Sequence, residues 1–536
     1  MQPPRRTVVI ALALLSVLVA YAFSVAIRLD TFQQHTGGQG LEATYHVLWT
    51  AQALANSSPE THFFLPTVTL SPDPDFPVPW GATVETRSGS HVYTSFPPLG
   101  FLVPYAASLL LGGDLSFGKL ALLNSLFGLL AALGLGGLCR AVFLSATGDR
   151  AEQDTASWIV LAITASSYLF LREALVSHGA VYWPHSLSQI VFIFAAWIAF
   201  RILEGKHTAA DLGALFLVCL LFPSLEWTGF VFNAGLFIAF AAWPVYVGRT
   251  GGQGAGRSVA AWIPPAVVLL ATAIASMAIL VHFSMAIGLH ELMLALQERA
   301  VARTYGLLAI PGVAVGYFVS FGALVPIGGL AFFLGLRTKA FRSHPALAFL
   351  LFVTVFPMLE NAVLAQHAYQ FSFDRLKLAV PLALACAVAA AADPRARRAG
   401  AVLICLYIVI SSNLQIFAND KTYYAPWGKA VAENAIILEA ARADPLAACS
   451  IAGASVPVRG YLNLALKKDF LDGASQEELL SRARAQNACG LIVVESALVF
   501  ANLPKIRAIK VYDPDGQLVR EYIEDDTFSS RLLQNF

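Results

Sequence analysis

Charged residues are scarce in this chain of 536 residues: Asp, Glu, Lys and Arg make up 13% of it, about half the share of an ordinary soluble domain. Hydrophobic residues make up 57%, and this composition excludes a soluble globular enzyme. Neither sign of charge is in excess, because 35 basic residues face 34 acidic ones. Bulk charge therefore gives no reason to expect nucleic acid or another polyanion as a partner.

Cysteine is also scarce, and six cysteines are too few and too scattered for a disulfide scaffold. Four lie in apolar runs, whereas Cys449 and Cys489 lie in the polar C-terminal tail. Each of these two immediately precedes a predicted strand, so a disulfide between them is an open alternative if the strands are adjacent and the compartment is oxidising. The sequence also lacks a Walker loop, an HExxH motif and a CxxC motif.

Apolar runs of membrane-spanning length recur from the N-terminus to about residue 417. They predict an α-helical polytopic membrane protein with about eleven crossings. The predicted crossings lie near residues 8–27, 117–139, 157–173, 186–203, 210–226, 229–247, 260–285, 308–336, 345–363, 377–392 and 400–417. Arg5 and Arg6 precede the first run and place the N-terminus in the cytoplasm. A cleaved signal peptide is the alternative, but the run is long for one, which favours an uncleaved anchor.

The segment Leu99 to Leu111 decides the orientation of every later helix. Its dozen or so apolar residues are too few to cross a bilayer, so we expect a juxtamembrane helix on the outer face. With this count every cluster of Arg and Lys between the crossings falls on the inner side, as the positive-inside rule requires. Counting the segment as a crossing would place the same clusters outside.

Two domains are predicted. Residues 1–417 form the transmembrane module, which includes an outer loop of residues 28–116. Residues 418–536 differ in composition and form a small extracytoplasmic α/β domain. Its strands are expected at residues 450–454, 469–471, 490–495 and 506–512, with a helix at 476–485.

The outer loop contains the first candidate site residues. Residues 41–54 have helical spacing with one apolar stripe, which predicts a helix on the membrane surface. Glu42 and His46 are four apart and share a face, so both side chains can address one site. A solvated polar face is the alternative reading. Asp30, just past the first crossing, is the second acidic candidate, although it also suits a helix end.

The outer loop closes on a segment that runs from His91 to Gly100 and includes Tyr93, Pro97 and Pro98. Two prolines prevent a helix, and the glycine permits a tight turn. This composition predicts an ordered, irregular backbone that leads into the juxtamembrane helix. A simple helix breaker before an apolar segment is the alternative.

Further polar candidates lie at the outer ends of later crossings. Arg172, His178 and His185 follow the third crossing, and Glu226 is an acid at membrane depth, which indicates function by default. For these four, structural or interfacial roles are the alternatives.

Arginines in the later outer loops suit a phosphate, because the planar guanidinium pairs with phosphate oxygens. Arg299 and Arg303 are four apart on one predicted helix face, and His367 and Arg375 precede a late crossing. A solvated helical loop explains the first pair as an alternative, and snorkelling to lipid headgroups explains Arg375.

The order of these pieces resembles the GT-C glycosyltransferases. A membrane anchor is followed by a loop helix with an acidic residue, by His62 to Pro66 and by Tyr93 to Gly100. The likeness is closest to the aminoarabinose transferase and protein O-mannosyltransferase branch. In that branch an Asp–Glu pair opens the loop helix and Lys or His precedes the paired prolines. Here Leu41 and Glu42 occupy the acidic pair, and Phe96 precedes the prolines.

The resemblance implies inverting transfer of a sugar from a polyprenyl-phosphate donor to a lipid, glycan or protein acceptor. The reaction would take place at the outer face of the bacterial inner membrane, among membrane lipids, with the C-terminal domain in the periplasm. Glu42 is then the candidate base, with Asp30 second, and Arg299, Arg303 and Arg375 are candidate phosphate ligands.

Two other functions are retained as alternatives: a transporter or lipid flippase, and a GT-C-like scaffold without catalytic activity. The long outer loop, the soluble tail and the lack of internal repeats weigh against transport. Only Glu42 of the family's acidic pair is present, so a scaffold without catalytic activity stays an alternative. A divalent metal ion is an open alternative as a cofactor, since Glu42 and His46 would supply two ligands, but two residues do not make a site.

Overall fold

The computed structural model describes residues 3–33, 40–69, 83–113, 115–147, 151–249, 259–303, 310–337, 344–392 and 402–422, and in the tail residues 451–454, 464, 470–471, 475–485, 489–499 and 503–523. The chain divides into two compact units. The first comprises Met1–Leu29, Ala121–Val281 and Ala300–Asn419, and the second comprises Asp30–Leu120, His282–Arg299 and Asp420–Phe536.

Helices make up most of the described chain. Those before residue 340 are α1 (Pro3–Ala26), α2 (Leu29–Gln33), α3 (Leu41–Asn56), α4 (Pro59–His62), α5 (Leu99–Leu110), α6 (Phe117–Thr147), α7 (Ala151–Leu169), α8 (Arg172–Ser177), α9 (His185–Leu203), α10 (Ala209–Leu225), α11 (Thr228–Arg249), α12 (Ile263–Ile287), α13 (Leu289–Arg303), α14 (Ile310–Phe321) and α15 (Leu324–Arg337). Later helices span Pro345–Val355, Met358–Val363, Ala365–Gln370, Ala379–Ala392, Val402–Thr422 and Gln476–Ala485, and 3-10 helices span Val259–Trp262 and Ser372–Leu378.

Seven of the described helices are long and apolar enough to cross a membrane, or eight if the bent pair α14 and α15 counts as one span. The chain is therefore a membrane protein, as predicted. The sequence predicted about eleven crossings. The difference lies in three predicted crossings whose helices are too short or not apolar enough to span a membrane. Helices α10 and Ala379–Ala392 have only 17 and 14 residues, and α7 begins with acidic residues.

Helix α5 agrees with the short helix predicted at Leu99 to Leu111. It has 12 residues, so it is about 18 Å long, which is too short for a hydrocarbon core of about 30 Å. The prolines predicted to break the chain stand just before it, and Pro98 is the residue that caps its N-terminus. Its position at the outer membrane face stays a prediction.

The core of the first unit is built from closely packed membrane helices. Small residues on α6 allow the close approach, as is common between helices in lipid. A Cβ atom added at Gly136 would lie 2.7 Å from the backbone oxygen of Leu161, and one added at Gly137 would lie 2.6 Å from the ring of Trp197. A larger residue at position 136 would therefore push the helix that carries Leu161 away, and one at position 137 would displace the Trp197 ring.

Helix α3 belongs to the second unit, and it is more buried than a surface helix. The predicted apolar stripe is buried, and so are the polar residues Thr44, His46 and Thr50. Trp49 donates from its indole nitrogen to the backbone oxygen of Val68 at 2.8 Å. The alternative reading of a solvated polar face is therefore wrong, because protein covers these polar residues too. The position of the helix on the membrane surface stays a prediction.

The strands form two sheets. Strands β1 (Thr83–Glu85) and β2 (His91–Tyr93) make an antiparallel hairpin. The tail contains β3 (Ile451–Ala454), β4 (Phe470–Leu471), β5 (Leu491–Val499), β6 (Leu503–Tyr512) and β7 (Leu518–Ile523), in the order β4-β3-β5-β6-β7. The first three are parallel neighbours, and β5, β6 and β7 are antiparallel.

The α/β character predicted for the tail is confirmed. The four predicted strands and the helix all occur, and the helix contributes Leu479 and Ala483 to a small core with Leu491 and Tyr512. Strand β7 was not predicted. Cys489 is disulfide-bonded. Cys449, the other cysteine of the polar tail, lies outside the described residues, so the pairing that the sequence left open stays untested.

Candidate functional site

The second unit places Glu42 and His46 on consecutive turns of α3. Glu42 lies in the first turn and is partly buried. His46 is buried, and its ring meets Tyr93 edge-on at 4.6 Å and lies 5.7 Å from Phe101. Burial, together with the nearby charge of Arg299, lowers the pKa of His46 to about 3. His46 is thus neutral at ordinary pH and packs among aromatic rings.

Arg299 lies on helix α13, close enough to His46 for its charge to lower the pKa of the His46 ring. Arg299 is partly exposed as a residue, but its Nε atom is buried and has no hydrogen-bond partner among the described residues. A buried donor without a partner is costly, so an anion that accepts from Nε would be favoured here. Arg303 ends the same helix, and its side chain lies outside the described residues.

Asp30 lies at the start of α2 and is already paired. Its carboxylate is 2.6 Å from the ammonium group of Lys421 and accepts from the backbone nitrogen of Thr31 at 2.9 Å. Nearly half of the Asp30 side chain is exposed. To act as a base, this carboxylate would first have to leave Lys421.

Aromatic side chains occupy the segment before α5. Tyr93 ends strand β2, and its ring stacks on Phe96 at 6.4 Å. Phe96 is buried, so at the position of the family's Lys or His this chain has a packed apolar ring. Pro97 and Pro98 are followed directly by the first turn of α5. Together they fix the entry of the chain into that helix.

A strained turn lies in the segment from His62 to Pro66 that carries part of the family resemblance. Phe63 and Phe64 both have positive φ angles, of 50° and 56°, a conformation that costs bulky residues about 1–3 kcal/mol each. The turn is held by two contacts of histidine rings. His62 accepts from the backbone nitrogen of Phe64 at 2.8 Å, and the Nε2 atom of His282 lies 2.5 Å from the Phe63 oxygen.

The first unit contains a buried network of charged side chains that consists of two bonded clusters, which adjoin along the chain at Asp374 and Arg375. Glu173 is the acid of the first cluster. Its carboxylate is fully buried. Arg172 contacts it at 3.0 Å, and the hydroxyl groups of Ser177 and Ser320 donate to it. Ser320 in turn accepts from the Nε atom of Arg375 at 2.9 Å. An arginine and a carboxylate thus share one serine hydroxyl.

Glu226 is the centre of the second cluster of the network. Lys377 donates to its carboxylate, and the Nε2 atom of His185 lies 3.1 Å from it. The hydroxyl groups of Ser188 and Thr228 also donate to it, the latter at 2.6 Å. A buried carboxylate with this many partners is satisfied in its ionised form.

Asp374 connects His185 to His367. The Nε2 atom of His185 lies 2.7 Å from one carboxylate oxygen, and the Nδ1 atom of His367 contacts the other. Burial alone would raise the pKa of Asp374, but the two histidines hold it well below its ordinary value. Burial alone would lower the pKa of Lys377, but Glu226 and the neighbouring Glu360 raise it above its ordinary value.

His178 lies in the first unit too, but its ring is not part of the network. Its Nε2 atom is 2.8 Å from the hydroxyl of Tyr168, and burial and the charge of Arg28 lower its pKa to about 3. Arg28 donates to the backbone oxygen of His178 at 2.7 Å. Asn124 donates to three carbonyl groups of the same turn, including that of Gly179 at 3.0 Å. The turn after α8 is therefore rigidly held.

Five predicted site residues meet in the network: Arg172, His185, Glu226, His367 and Arg375. The sequence did not single out Ser320 or Glu360. A signal existed for Glu360, because it is an acid inside an apolar run. No signal existed for Ser320, since serine is ordinary in membrane helices and its role depends on which helix it faces.

The described residues do not provide the ligand set for the metal ion that the sequence left open. Among the parts of the chain that the structure describes, no group of three or more His, Cys, Asp or Glu side chains is placed to hold a metal ion. The acids and histidines of the network are instead bonded to each other and to lysine or hydroxyl groups. The described residues therefore do not fit a divalent-metal centre.

Solved structures with the same fold are archaeal oligosaccharyltransferases. The crystal structure of the Archaeoglobus fulgidus enzyme in complex with Zn and sulfate has a TM-score of 0.50 at 14% identity, over 89% of this chain and 68% of that chain. AglB from the same organism, in complex with an inhibitory peptide and a dolichol-phosphate, has a TM-score of 0.51 at 12% identity, over 90% of this chain and 69% of that one. No protein-family model and no curated protein matches the sequence.

At this level of identity the likeness establishes the fold. Oligosaccharyltransferases are GT-C glycosyltransferases, so the chain has the GT-C fold and the predicted fold class is confirmed. The branch with aminoarabinose transferases and protein O-mannosyltransferases stays a prediction.

Proposed function

We propose that this protein transfers a sugar, with inversion, from a polyprenyl-phosphate donor to a lipid, glycan or protein acceptor at the outer face of the bacterial inner membrane. The GT-C fold, matched over 90% of the chain, carries the proposal. The similar AglB structure holds a dolichol-phosphate, and another structure of the Archaeoglobus enzyme is tethered to an acceptor peptide. A lipid phosphate and a polypeptide are therefore reasonable ligand classes to test.

The proposed reaction is a single displacement at the anomeric carbon. Glu42 takes the proton of the acceptor hydroxyl while that oxygen attacks the sugar. The bond between the anomeric carbon and the phosphate oxygen breaks, and polyprenyl phosphate leaves with the electron pair. We prefer Glu42 to Asp30 as the base because Glu42 lies in the first turn of the loop helix, where the acidic pair of the resembled family stands.

Cations are needed to stabilise the departing phosphate. Arg299 in the second unit offers a buried Nε atom that lacks a partner among the described residues. Arg375 in the first unit donates from Nε and Nη1 to protein groups, and its Nη2 atom makes no hydrogen bond to any described residue. Each arginine therefore has donor capacity left for a phosphate, and Arg303 remains a candidate on its sequence position.

The experiment uses the purified protein in lipid nanodiscs with a radiolabelled sugar on polyprenyl phosphate and an envelope extract as acceptor. Released polyprenyl phosphate and labelled product are measured together. Glu42→Gln should lower the rate by about a hundredfold or more, the usual effect of losing a general base. Glu60→Gln is the matched control, because Glu60 is an exposed acid in the same loop, and it should leave the rate unchanged.

Other outcomes identify the alternatives. Donor that crosses the bilayer of proteoliposomes without losing its sugar would favour a flippase. Donor that binds the wild type and Glu42→Gln equally, with no product from either, would favour an inactive scaffold. A wild type that neither binds nor consumes the donor would overturn the proposal.

A further inference from the structure

The Arg375 side chain packs against one face of helix α14, at Gly316 and Ser320, and this place is called the seat of Arg375. Gly316 and Ser320 are four residues apart and therefore lie on the same face. Arg375 Nη1 is 2.6 Å from where a Cβ atom of Gly316 would be, so the missing side chain leaves room for the guanidinium. Ser320 accepts from Nε at 2.9 Å, and the backbone oxygen of Ala368 accepts from Nη1 at 2.6 Å.

The bond from Ser320 has a fixed direction. Its hydroxyl proton is donated to Glu173 at 3.0 Å, which leaves the oxygen to accept from Arg375. Glu173 is held by Arg172 and Ser177 and is fully buried. A charged acceptor strengthens the chain of hydrogen bonds and orients the serine before any ligand arrives.

The seat lies next to a break in a membrane helix. Helices α14 and α15 meet at 100°, and the break is fastened by the last membrane helix. Asn413 donates to the backbone oxygen of Phe321 at 3.0 Å and accepts from the backbone nitrogen of Arg172 at 2.9 Å. Irregular backbone at membrane depth is tolerated where protein or a cavity surrounds it, and broken helices commonly form ligand sites.

We propose that Ser320 and Glu173 are positioning residues that hold the Arg375 guanidinium and reserve its Nη2 group for the phosphate of the donor. Gly316 contributes to the same positioning, because its missing side chain leaves space for the Arg375 guanidinium. This inference rests on the proposed function, since the ligand is the donor phosphate. It assigns no contact between the ligand and Ser320 or Glu173 themselves.

The test compares binding of two probes to the protein in nanodiscs: polyprenyl phosphate and the uncharged polyprenol of the same length. Damage to the prenyl groove or to the fold would weaken the binding of both probes. A displaced Arg375 side chain would weaken only the binding of polyprenyl phosphate. Ser320→Ala should lower the preference for polyprenyl phosphate about tenfold, as expected for one hydrogen bond to a charged group. The KM for the sugar donor should rise by a similar factor, while kcat changes less than about twofold.

Companion variants separate positioning from general damage. Ser320→Thr keeps the hydroxyl and should restore most of the preference, and Gly316→Ala should reproduce the loss without removing any polar group. Glu173→Gln keeps an oxygen that can accept from Ser320 and should give an intermediate loss. Ser276→Ala is the control, because among the described residues Ser276 bonds only to the backbone oxygen of Thr272 on its own helix, α12.

The outcomes distinguish the two proposals. A wild type without preference for polyprenyl phosphate over polyprenol overturns the proposed function and this inference with it. A wild type that has the preference, together with a folded Ser320→Ala that keeps it, overturns the positioning role alone. Equal loss of both probes in Ser320→Ala would likewise contradict positioning, because it would show damage to the groove.

Discussion

Lys377 is a single residue on which several buried acids depend. Its ammonium group is buried and donates to Glu226, while Glu360 lies near enough to affect its titration. Lys377→Met would leave these carboxylates without their cation, and breaking a buried pair from one side costs about 3–5 kcal/mol. We expect a loss of this size in the free energy of unfolding, measured by denaturant titration in mixed micelles.

A double variant tests that explanation. Glu226→Gln combined with Lys377→Met removes both charges, so it should recover part of the loss, since replacing a whole buried pair is often close to neutral. Lys206→Met is the matched control: Lys206 pairs with Glu204 at 3.0 Å but is more than half exposed, so the change should cost less than about 1 kcal/mol. Equal effects of the buried and surface changes would refute the dependence on Lys377.

We expect His178 to make the protein sensitive to acid. Its pKa is about 3 in the fold and about 6.5 in the unfolded chain, so the unfolded state gains the proton first. The contribution of His178 to stability should therefore be complete well above pH 6.5 and should be lost as the pH drops towards 3, by about 2 kcal/mol at pH 5. His178→Gln should reduce the loss between pH 7.5 and pH 5 by that amount.

The measurement compares unfolding free energies at the two pH values, so a general loss of stability in the variant cancels. His207→Gln is the control because His207 is exposed, and it should keep the pH dependence of the wild type. A His178→Gln protein with an unchanged acid response would mean that His178 is not the group that takes up the proton.

At the scale of helices, the break between α14 and α15 depends on Gly322. Its φ angle is +53°, and an added Cβ atom would lie 2.8 Å from the hydroxyl of Ser412. Gly322→Ala therefore meets both backbone strain and a clash, and should lower the unfolding free energy by about 2 kcal/mol. Gly329→Ala in α15 should be neutral or slightly stabilising, because nothing lies within 4 Å of its Cβ position. Equal values for the two variants would mean that the break tolerates a side chain.

The sequence predicted the elements that have a local hydrophobic pattern and missed those that lack one or depend on distant residues. Strands β3 to β6 show apolar runs bounded by polar residues, which local patterning detects. Strand β7 was missed because Leu518, Val519 and Arg520 are all exposed, so it lacks the alternation of a half-buried strand. The helix break was missed because the partners that fasten it, Ser412 and Asn413, are about ninety residues further along the chain.

At the scale of the molecule, the sequence was sufficient for the GT-C fold and for a list of polar candidates, but not for their grouping. The structure places His185 and Arg375 in the network of the first unit, and Glu42, His46 and Arg299 in the second unit. Local spacing relates residues four apart, such as Glu42 and His46. Which distant helices face each other depends on packing, and one sequence does not contain that information in readable form.

The number of crossings determines on which side the tail lies. Eleven or seven crossings leave the two ends on opposite sides of the membrane, whereas eight would leave them on the same side, and the seven or eight counted among the described helices allow either. With eleven crossings every cluster of Arg and Lys lies in an inner loop, as the positive-inside rule requires, and the tail then lies outside. We therefore expect alkaline phosphatase fused after residue 536 to be active and green fluorescent protein at the same place to be dark. Alkaline phosphatase inserted at residues 148–150 should be inactive. Activity at that insertion would mean that α5 crosses the membrane despite its 12 residues, and the proposed outer position of the tail would be lost.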